Sequence, residues 1–298
     1  MKKILRRAIG RYRWLISRVK CLYLKPDFST VFFEGGLGSQ ILSMIQLMNL
    51  SRGTNVEVAA NCDYFERNEV FTHDNGLTHW KWALDRYGIH REELVLKFKA
   101  KASRRREQLR LSPSEFSEFI CNNSLFRVDD EIKSNFPITT LAEDRSIAFF
   151  EGRTVTAYAV IHIRKGDYLK VASKIVKVDE VVSFLDTVRA FMPKEVIVIS
   201  DGEFTHQEIS SFEWVLPSES GFQLRFYGSE SKFDEYLCHD LMRLADFLVT
   251  SNSTFSFTAG ILSEKKNSSI FFPTEFYAHG SNLNLVFQKS STFSLISK

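Results

Sequence analysis

Cysteine is scarce in this chain: Cys21, Cys62, Cys121 and Cys238 are scattered over 298 residues with no Cys-x-x-Cys pair. That spacing indicates neither a zinc site nor a disulfide scaffold, and reduced, mostly buried thiols of a cytosolic protein are the plain expectation. Long apolar runs are missing too. No stretch approaches the roughly 18–20 uninterrupted apolar residues of a spanning helix. The basic N-terminal segment has no continuous apolar core, so a cleaved signal peptide is not expected. Two phosphate-binding signatures are also absent. The one glycine-rich turn, Gly35-Gly36-Leu37-Gly38-Ser39-Gln40, lacks the Gly-Lys-Ser/Thr of a P-loop, and Ile41 stands where a dinucleotide fingerprint needs its third glycine.

At 298 residues the chain can bury a substantial core, in one large domain or two of about 150 residues. Phenylalanine is in excess, which chiefly means core filler. The net charge of +3 is unevenly spread: residues 1–25 hold nine Lys or Arg and no acid, so the remainder carries −6. A mildly acidic body argues against a nucleic-acid-binding fold, where phosphate contacts dominate.

In residues 1–24, Leu5, Ala8, Tyr12, Leu15, Ile16, Val19 and Leu22 form a helical stripe with most basic residues off it. Such a helix suits the interface of an anionic membrane, and it equally suits a first helix packed on the domain. After Pro26, a strand at 29–34, the glycine turn, an almost wholly apolar helix through Ile41–Met48 and a strand at 56–60 make a parallel unit. The backbone N–H groups of that turn offer an anion or sugar-hydroxyl site, or the turn is only a tight one. Trp80, Trp82, Tyr87, His73, His79 and His90 could stack on a sugar or simply pack. The basic run from Lys97 to Arg110 reads as a solvated face that could also meet an anionic surface, and a helix is expected at 112–121.

From Thr154 the alternation of strand and helix is cleaner. Strands are expected at 154–163, 194–200, 247–250 and 269–272, with helices at 179–191, 233–245 and 257–262. The β-branched run Val160, Ile161, Ile163 fits a strand buried on both faces. Three strand ends present polar groups: Arg164, Lys165, Gly166 and Asp167; Ser200 and Asp201; and Ser251 to Ser256. Ligands bind at such carboxyl edges, and cations there suit a phosphate.

Three segments carry a resemblance: Gly35-Gly36-Leu37-Gly38-Ser39-Gln40, His162-Ile163-Arg164-Lys165-Gly166-Asp167-Tyr168 and Asn252-Ser253-Thr254-Phe255-Ser256. In order and spacing, over about 31–277, they are similar to the signatures of the α-1,2-fucosyltransferases of glycosyltransferase family 11. The resemblance implies an α/β, GT-B-like architecture, two Rossmann-like halves with the active site in the cleft between them. The expected divisions are a basic segment at 1–25, an acceptor-side half at 26–150 and a GDP-sugar-binding half at 151–298. Three departures stand out: Ser39 for Asn, Lys165 for a second Arg, and Phe257-Thr258 where the family often has two tryptophans.

The implied activity is inverting transfer of L-fucose from GDP-fucose to the 2-hydroxyl of a galactoside, in surface-polysaccharide synthesis. Arg164 is the expected β-phosphate cation, since preorganised charge aimed at the leaving group is effective catalysis. His162, Lys165, Gly166, Asp201, Asn252, Ser253, Thr254 and Ser256 are expected around the donor, with plain N-capping as the other reading of the serines. Asp167 orients Arg164, fixes the loop or serves as base, and Glu34 is the other candidate base. Neither Asp129-Asp130 nor Asp201-Gly202-Glu203 forms an Asp-x-Asp motif, so the expectation is metal-independent chemistry without a cofactor. Expected partners are GDP-fucose, a galactose-containing oligosaccharide or lipid-linked glycan, and an anionic membrane surface met by residues 1–24, with no nucleic acid. The expected place is the cytoplasm, peripheral on the inner membrane face. The alternatives are another nucleotide sugar on the same fold, or an inactive membrane-associated binding protein.

Overall fold

The computed structural model describes residues 28–33, 35–53, 57–63, 65, 81–98, 128–138, 157–165, 177–228, 235–273 and 287–289. Strand β1 (Phe28–Phe32) leads through the glycine turn into α1 (Leu37–Gly53) and back into β2 (Glu57–Asn61), which pairs parallel to β1. Helix α1 buries Leu37, Ile41, Leu42, Ile45, Leu47 and Met48, because it packs on its own strands on one side and on a second helix on the other. A 3-10 turn at Leu84–Tyr87 and the short helices α2 (Arg91–Lys97) and α3 (Asp130–Ser134) follow.

The C-terminal part is built on β3 (Tyr158–Ile163), β4 (Glu195–Ser200), β5 (Gln223–Tyr227), β6 (Phe247–Val249), β7 (Ser269–Pro273) and β8 (Phe287–Lys289). Their spatial order is β5-β4-β3-β6-β7-β8, parallel except for the last pair. This is the 3-2-1-4-5-6 order of a doubly wound sheet, with the direction of winding reversing between β3 and β6. The protein is therefore α/β with a parallel sheet, as the alternation of its segments leads one to expect.

Every residue of β3 is buried, which explains its β-branched composition. Ala159, Ile161 and Ile163 face α4 (Val178–Val188) and α5 (His206–Val215) in one apolar cluster. Tyr158 and Val160 face the opposite way, in a cluster with α6 (Glu235–Arg243) and α7 (Thr254–Ile261). That second cluster also contains α1 and β1, so a single continuous core joins the N-terminal parallel unit to the large sheet.

Several expected boundaries shift. Helix α7 begins three residues earlier than expected, because the Ser253 hydroxyl accepts from Phe255 N at 3.3 Å and caps it. The expected helix at 179–191 is α helix only to Val188 and finishes as a 3-10 turn, Arg189–Phe191. The sheet does not end at the fourth C-terminal strand expected, because β8 returns antiparallel to β7. Helix α5 and strand β5 had no counterpart in the sequence reading. The expected basic helix at 1–24, the helix at 112–121, Trp80, His73, His79, and the basic run beyond Phe98 lie outside the described residues. Among the described residues, no helix is long and apolar enough to cross a membrane.

Candidate functional site

The site begins where the winding reverses. His162 shares the face of Val160 and turns toward α7, where it meets the end of β6. Its Nδ1 lies 2.7 Å from Ser251 Oγ, and both side chains are buried. Ser251 N donates to Ser256 Oγ at 3.2 Å, which folds the turn back onto the first turn of α7. Asn252 and Ser253 are buried in the same turn. Desolvation, and then the Arg164 charge, push the His162 pKa down to about 3, so the imidazole is neutral at ordinary pH.

The glycine turn arrives at the same place from the other sheet. Gly35 has φ 77°, a left-handed conformation that favours glycine, and it reverses the chain at the end of β1. A Cβ on Gly38 would stand 2.4 Å from Phe255 Cα, so the starts of α1 and α7 touch backbone to backbone. Ser39 Oγ and Thr254 Oγ1 then hydrogen-bond at 3.0 Å. Gln40 is fully buried and anchors the turn: its Nε2 donates to the Gly35 and Lys81 carbonyls, each at 2.8 Å, and its Oε1 accepts from Ala83 N at 2.8 Å. Neither α1 nor α7 has an acid in its first turn, and the positive ends of two helix dipoles meet there. Such a junction is suited to an anion.

Two cations follow β3. Arg164 Nε pairs with Asp201 Oδ2 at 3.0 Å, and both side chains are only 14% exposed. Lys165 N donates to Asp201 Oδ1 at 2.7 Å, and Lys165 Nζ donates to Glu208 Oε2 and to the Glu203 carbonyl, each at 2.6 Å. The Lys165 ammonium is thus engaged with protein, while Asp201 holds the Arg164 side chain at its Nε end. Desolvation alone would raise the Glu208 carboxyl; the Lys165 and Thr205 hydrogen bonds and the Lys165 charge outweigh it and hold the group below its usual range.

The structure therefore brings together Gly35, Gly36, Gly38, Ser39 and Gln40 with Asn252, Ser253, Thr254 and Ser256, and joins the latter to His162. It ties Arg164 and Lys165 to Asp201. Glu34, Gly166 and Asp167 lie outside the described residues. Ser251 and Phe255, which lie in segments singled out in the sequence, join the site through His162 and Gly38, and Glu208 is an addition that sequence reasoning missed. A signal for Glu208 was present in Thr205-x-x-Glu208, a capping box that announces α5.

The aromatic and histidine candidates of the N-terminal half are structural where they are described. Trp82 Nε1 donates to the Ile89 carbonyl at 2.8 Å, and its ring packs on Phe33 and Phe65. Tyr87 packs edge-on against Phe136, and His90 pairs with Asp85 at 3.0 Å. Asp129 caps α3 by accepting from Ile132 N at 2.9 Å. Cys62 and Cys238 are buried free thiols. Among the described residues, no group of three or more His, Cys, Asp or Glu is assembled as a metal site.

No family model matches the chain, and no curated protein matches it in sequence. Among solved structures it is similar to POFUT1 in complex with GDP, at 11% identity and a TM-score of 0.43, over 83% of this chain and 98% of that one. It is similar to POFUT1 in complex with GDP-fucose at 10% identity and a TM-score of 0.42, over 82% and 97%. The match to the POFUT1 apo-form, at 16% identity and a TM-score of 0.34, spans 43% of this chain and 44% of that one.

Proposed function

We propose that the chain is an inverting glycosyltransferase of GT-B-like, two-halved build. It moves L-fucose from GDP-fucose to the 2-hydroxyl of a galactose-containing acceptor, in surface-polysaccharide synthesis. The observation that carries this reading is the junction of three distant segments at the switch point of the sheet: Ser39 bonded to Thr254, and His162 bonded to Ser251 beside Arg164.

In this reading the donor diphosphate lies against the starts of α1 and α7, with Arg164 directed at the β-phosphate. The acceptor oxygen attacks the anomeric carbon of fucose from the face opposite GDP. As the carbon–oxygen bond to GDP breaks, its electron pair leaves with the phosphate, where fixed cations and N–H dipoles stabilise it most. The acceptor proton passes to a carboxylate, Glu34 or Asp167. Arg164 supplies the charge neutralisation, so no divalent metal is required. Neutral His162 orients the Ser251 turn rather than carrying charge.

The basic segment 1–24 docks the enzyme on an anionic, cytoplasmic membrane face that presents a lipid-linked acceptor. Sedimentation with anionic vesicles tests this part: loss of residues 1–24 should abolish binding, and unchanged binding would remove the idea.

A panel of GDP-fucose, GDP-mannose, UDP-galactose and UDP-glucose against galactosides tests the activity, with the linkage read by NMR. Turnover of GDP-fucose to an α-1,2 product is expected. Turnover of a different donor, with none of GDP-fucose, would overturn the reading.

A further inference from the structure

Arg164 and Lys165 are both fastened to one connection, the loop from β4 to α5. Asp201, at its start, forms an ion pair with Arg164 Nε at 3.0 Å and accepts from Lys165 N at 2.7 Å. At its far end Lys165 Nζ reaches Glu208 Oε2, 2.6 Å away, and on the way it donates to the Glu203 carbonyl at 2.6 Å. The same Glu208 oxygen accepts from Thr205 N at 2.7 Å and Thr205 Oγ1 at 3.1 Å, while Glu208 N donates back to Thr205 Oγ1 at 3.2 Å. Phe204 lies beneath the ammonium, 5.0 Å from ring centre to Nζ, and packs edge-on against Phe226 of β5.

A capping box needs only the exchange between Glu208 and Thr205. A surface ion pair would be exposed and contribute little. Here the Lys165 and Glu208 side chains are 14% and 21% exposed, and the cation is covalently next to Arg164. The contacts close a ring: Arg164, Asp201, the loop, Glu208, Lys165 and back to Arg164.

We propose that Glu208 is a positioning residue for Arg164, acting by anchoring Lys165 to the start of α5 and so fixing the loop that carries Asp201. The proposal rests on the reading of Arg164 as the phosphate-facing cation. Without the Glu208 carboxylate, Lys165 Nζ loses its anionic anchor, and the segment that follows Asp201 is tied to the end of β3 only through the Asp201 carboxylate. Arg164 then leaves the geometry in which its charge meets the departing phosphate. The effect falls on kcat more than on the KM for donor, because the phosphate charge grows toward the transition state.

The test uses Glu208→Ala and Glu208→Gln, each alone and in an Arg164→Ala background, with Glu208→Asp as the conservative variant. Glu208→Gln keeps an oxygen for the Thr205 cap while removing the charge, so it separates helix capping from anchoring. Steady-state kinetics with GDP-fucose are read beside the Arg164 Nε–H resonance, assigned by its absence in Arg164→Ala. Glu208→Ala is expected to lower kcat about 10–100-fold, the scale of a small misplacement at a reacting centre, and to shift the resonance. Glu208→Gln should do the same in part, and Glu208→Asp should restore part of the rate. In the Arg164→Ala background, Glu208→Ala should add less than about twofold, since coupled residues are not additive. An unshifted resonance in Glu208→Ala, or full additivity with Arg164→Ala, overturns the proposal. A wild type inactive on GDP-fucose overturns the proposed function, and the resonance then still decides the role of Glu208.

Discussion

Ser39 Oγ and Thr254 Oγ1 share a hydrogen bond of 3.0 Å across 215 residues of chain. It forms because the helix starts on which they sit are in contact, and that contact exists only because residue 38 has no side chain. A methyl group on Gly38 would meet Phe255 N at 2.5 Å and the Thr254 carbonyl carbon at 2.6 Å, atoms of backbone that cannot swing aside. Gly38→Ala should therefore cost about 1–3 kcal/mol or more, the range of overpacked interiors. Ser39→Ala, which removes one hydrogen bond, should cost about 0.5–1.5 kcal/mol. Urea unfolding of the two variants checks the order. If Gly38→Ala is as stable as wild type, the two helices are not packed in this way.

Arg164 is held by Asp201 through Nε, and the proposed chemistry asks its charge to meet the leaving phosphate. Arg164→Ala should lower kcat by about 10²–10³, as loss of one preorganised oxyanion partner does. Arg164→Lys keeps the charge but has no Nε in a planar fork, and should recover only a small part of the rate. Rates of GDP release from GDP-fucose, with circular dichroism as the control for folding, measure this. Equal rates in Arg164→Ala and wild type would remove Arg164 from the mechanism.

The sheet was largely legible because β3, β4, β6 and β7 are short apolar runs between polar ends, a pattern that buried parallel strands impose. Strand β5 escaped notice for the converse reason: its residues are half-buried or exposed at one side of the sheet, and Arg225 interrupts the run. The three site segments could be named from the sequence, but not how they meet. That Ser251 bonds His162 depends on the pairing of β6 with β3, and that Gly38 abuts Phe255 depends on the packing of α1 on α7; no local pattern points to either. Asp201 illustrates the limit well. Its place beside the expected donor cations is legible, but its bracing of both Arg164 and Lys165 is a role that only the pairing of β3 with β4 creates.

Arg243 is fully buried and fastens α6 to the end of α7. Its Nε donates to the Leu262 carbonyl at 3.2 Å, its Nη2 binds Glu264, and its Nη1 stands 3.6 Å from buried Asp240. Arg243→Leu would strip that carbonyl of its donor and leave Asp240 in the core without this cation. A loss of about 3–5 kcal/mol is expected, as for breaking a buried pair from one side. Adding Asp240→Leu should return part of it, which a double-mutant comparison in urea would reveal. A loss below 1 kcal/mol for Arg243→Leu alone would contradict the burial of the pair.

Acid should weaken the protein well above the carboxylate range, because two histidines are buried neutral against Phe255. The His162 ring lies 5.6 Å and the His239 ring 5.4 Å from it. His239 is held by the Thr258 hydroxyl at 3.1 Å, and burial, then the Arg243 charge, keep its pKa well below the ordinary value. His162 is lowered from 6.5 to about 3, first by burial and then by Arg164. An unfolded chain takes up these protons below pH 6.5, while the folded chain does not, so the unfolded state binds more protons and stability falls as pH falls. For His162 the window runs from about pH 6.5 down to about 3, and each histidine contributes at most about 1.4 kcal/mol per pH unit within it. Unfolding free energies measured between pH 7.5 and pH 5.5 should decline with a slope that grows toward two protons as pH falls, less the opposing contribution of exposed His90, whose pKa Asp85 raises, and ordinary carboxylates stay mostly ionised over that range. His162→Asn should remove about one proton of that slope even though it lowers stability at neutral pH. A flat profile over this range would mean that the two imidazoles are not buried uncharged.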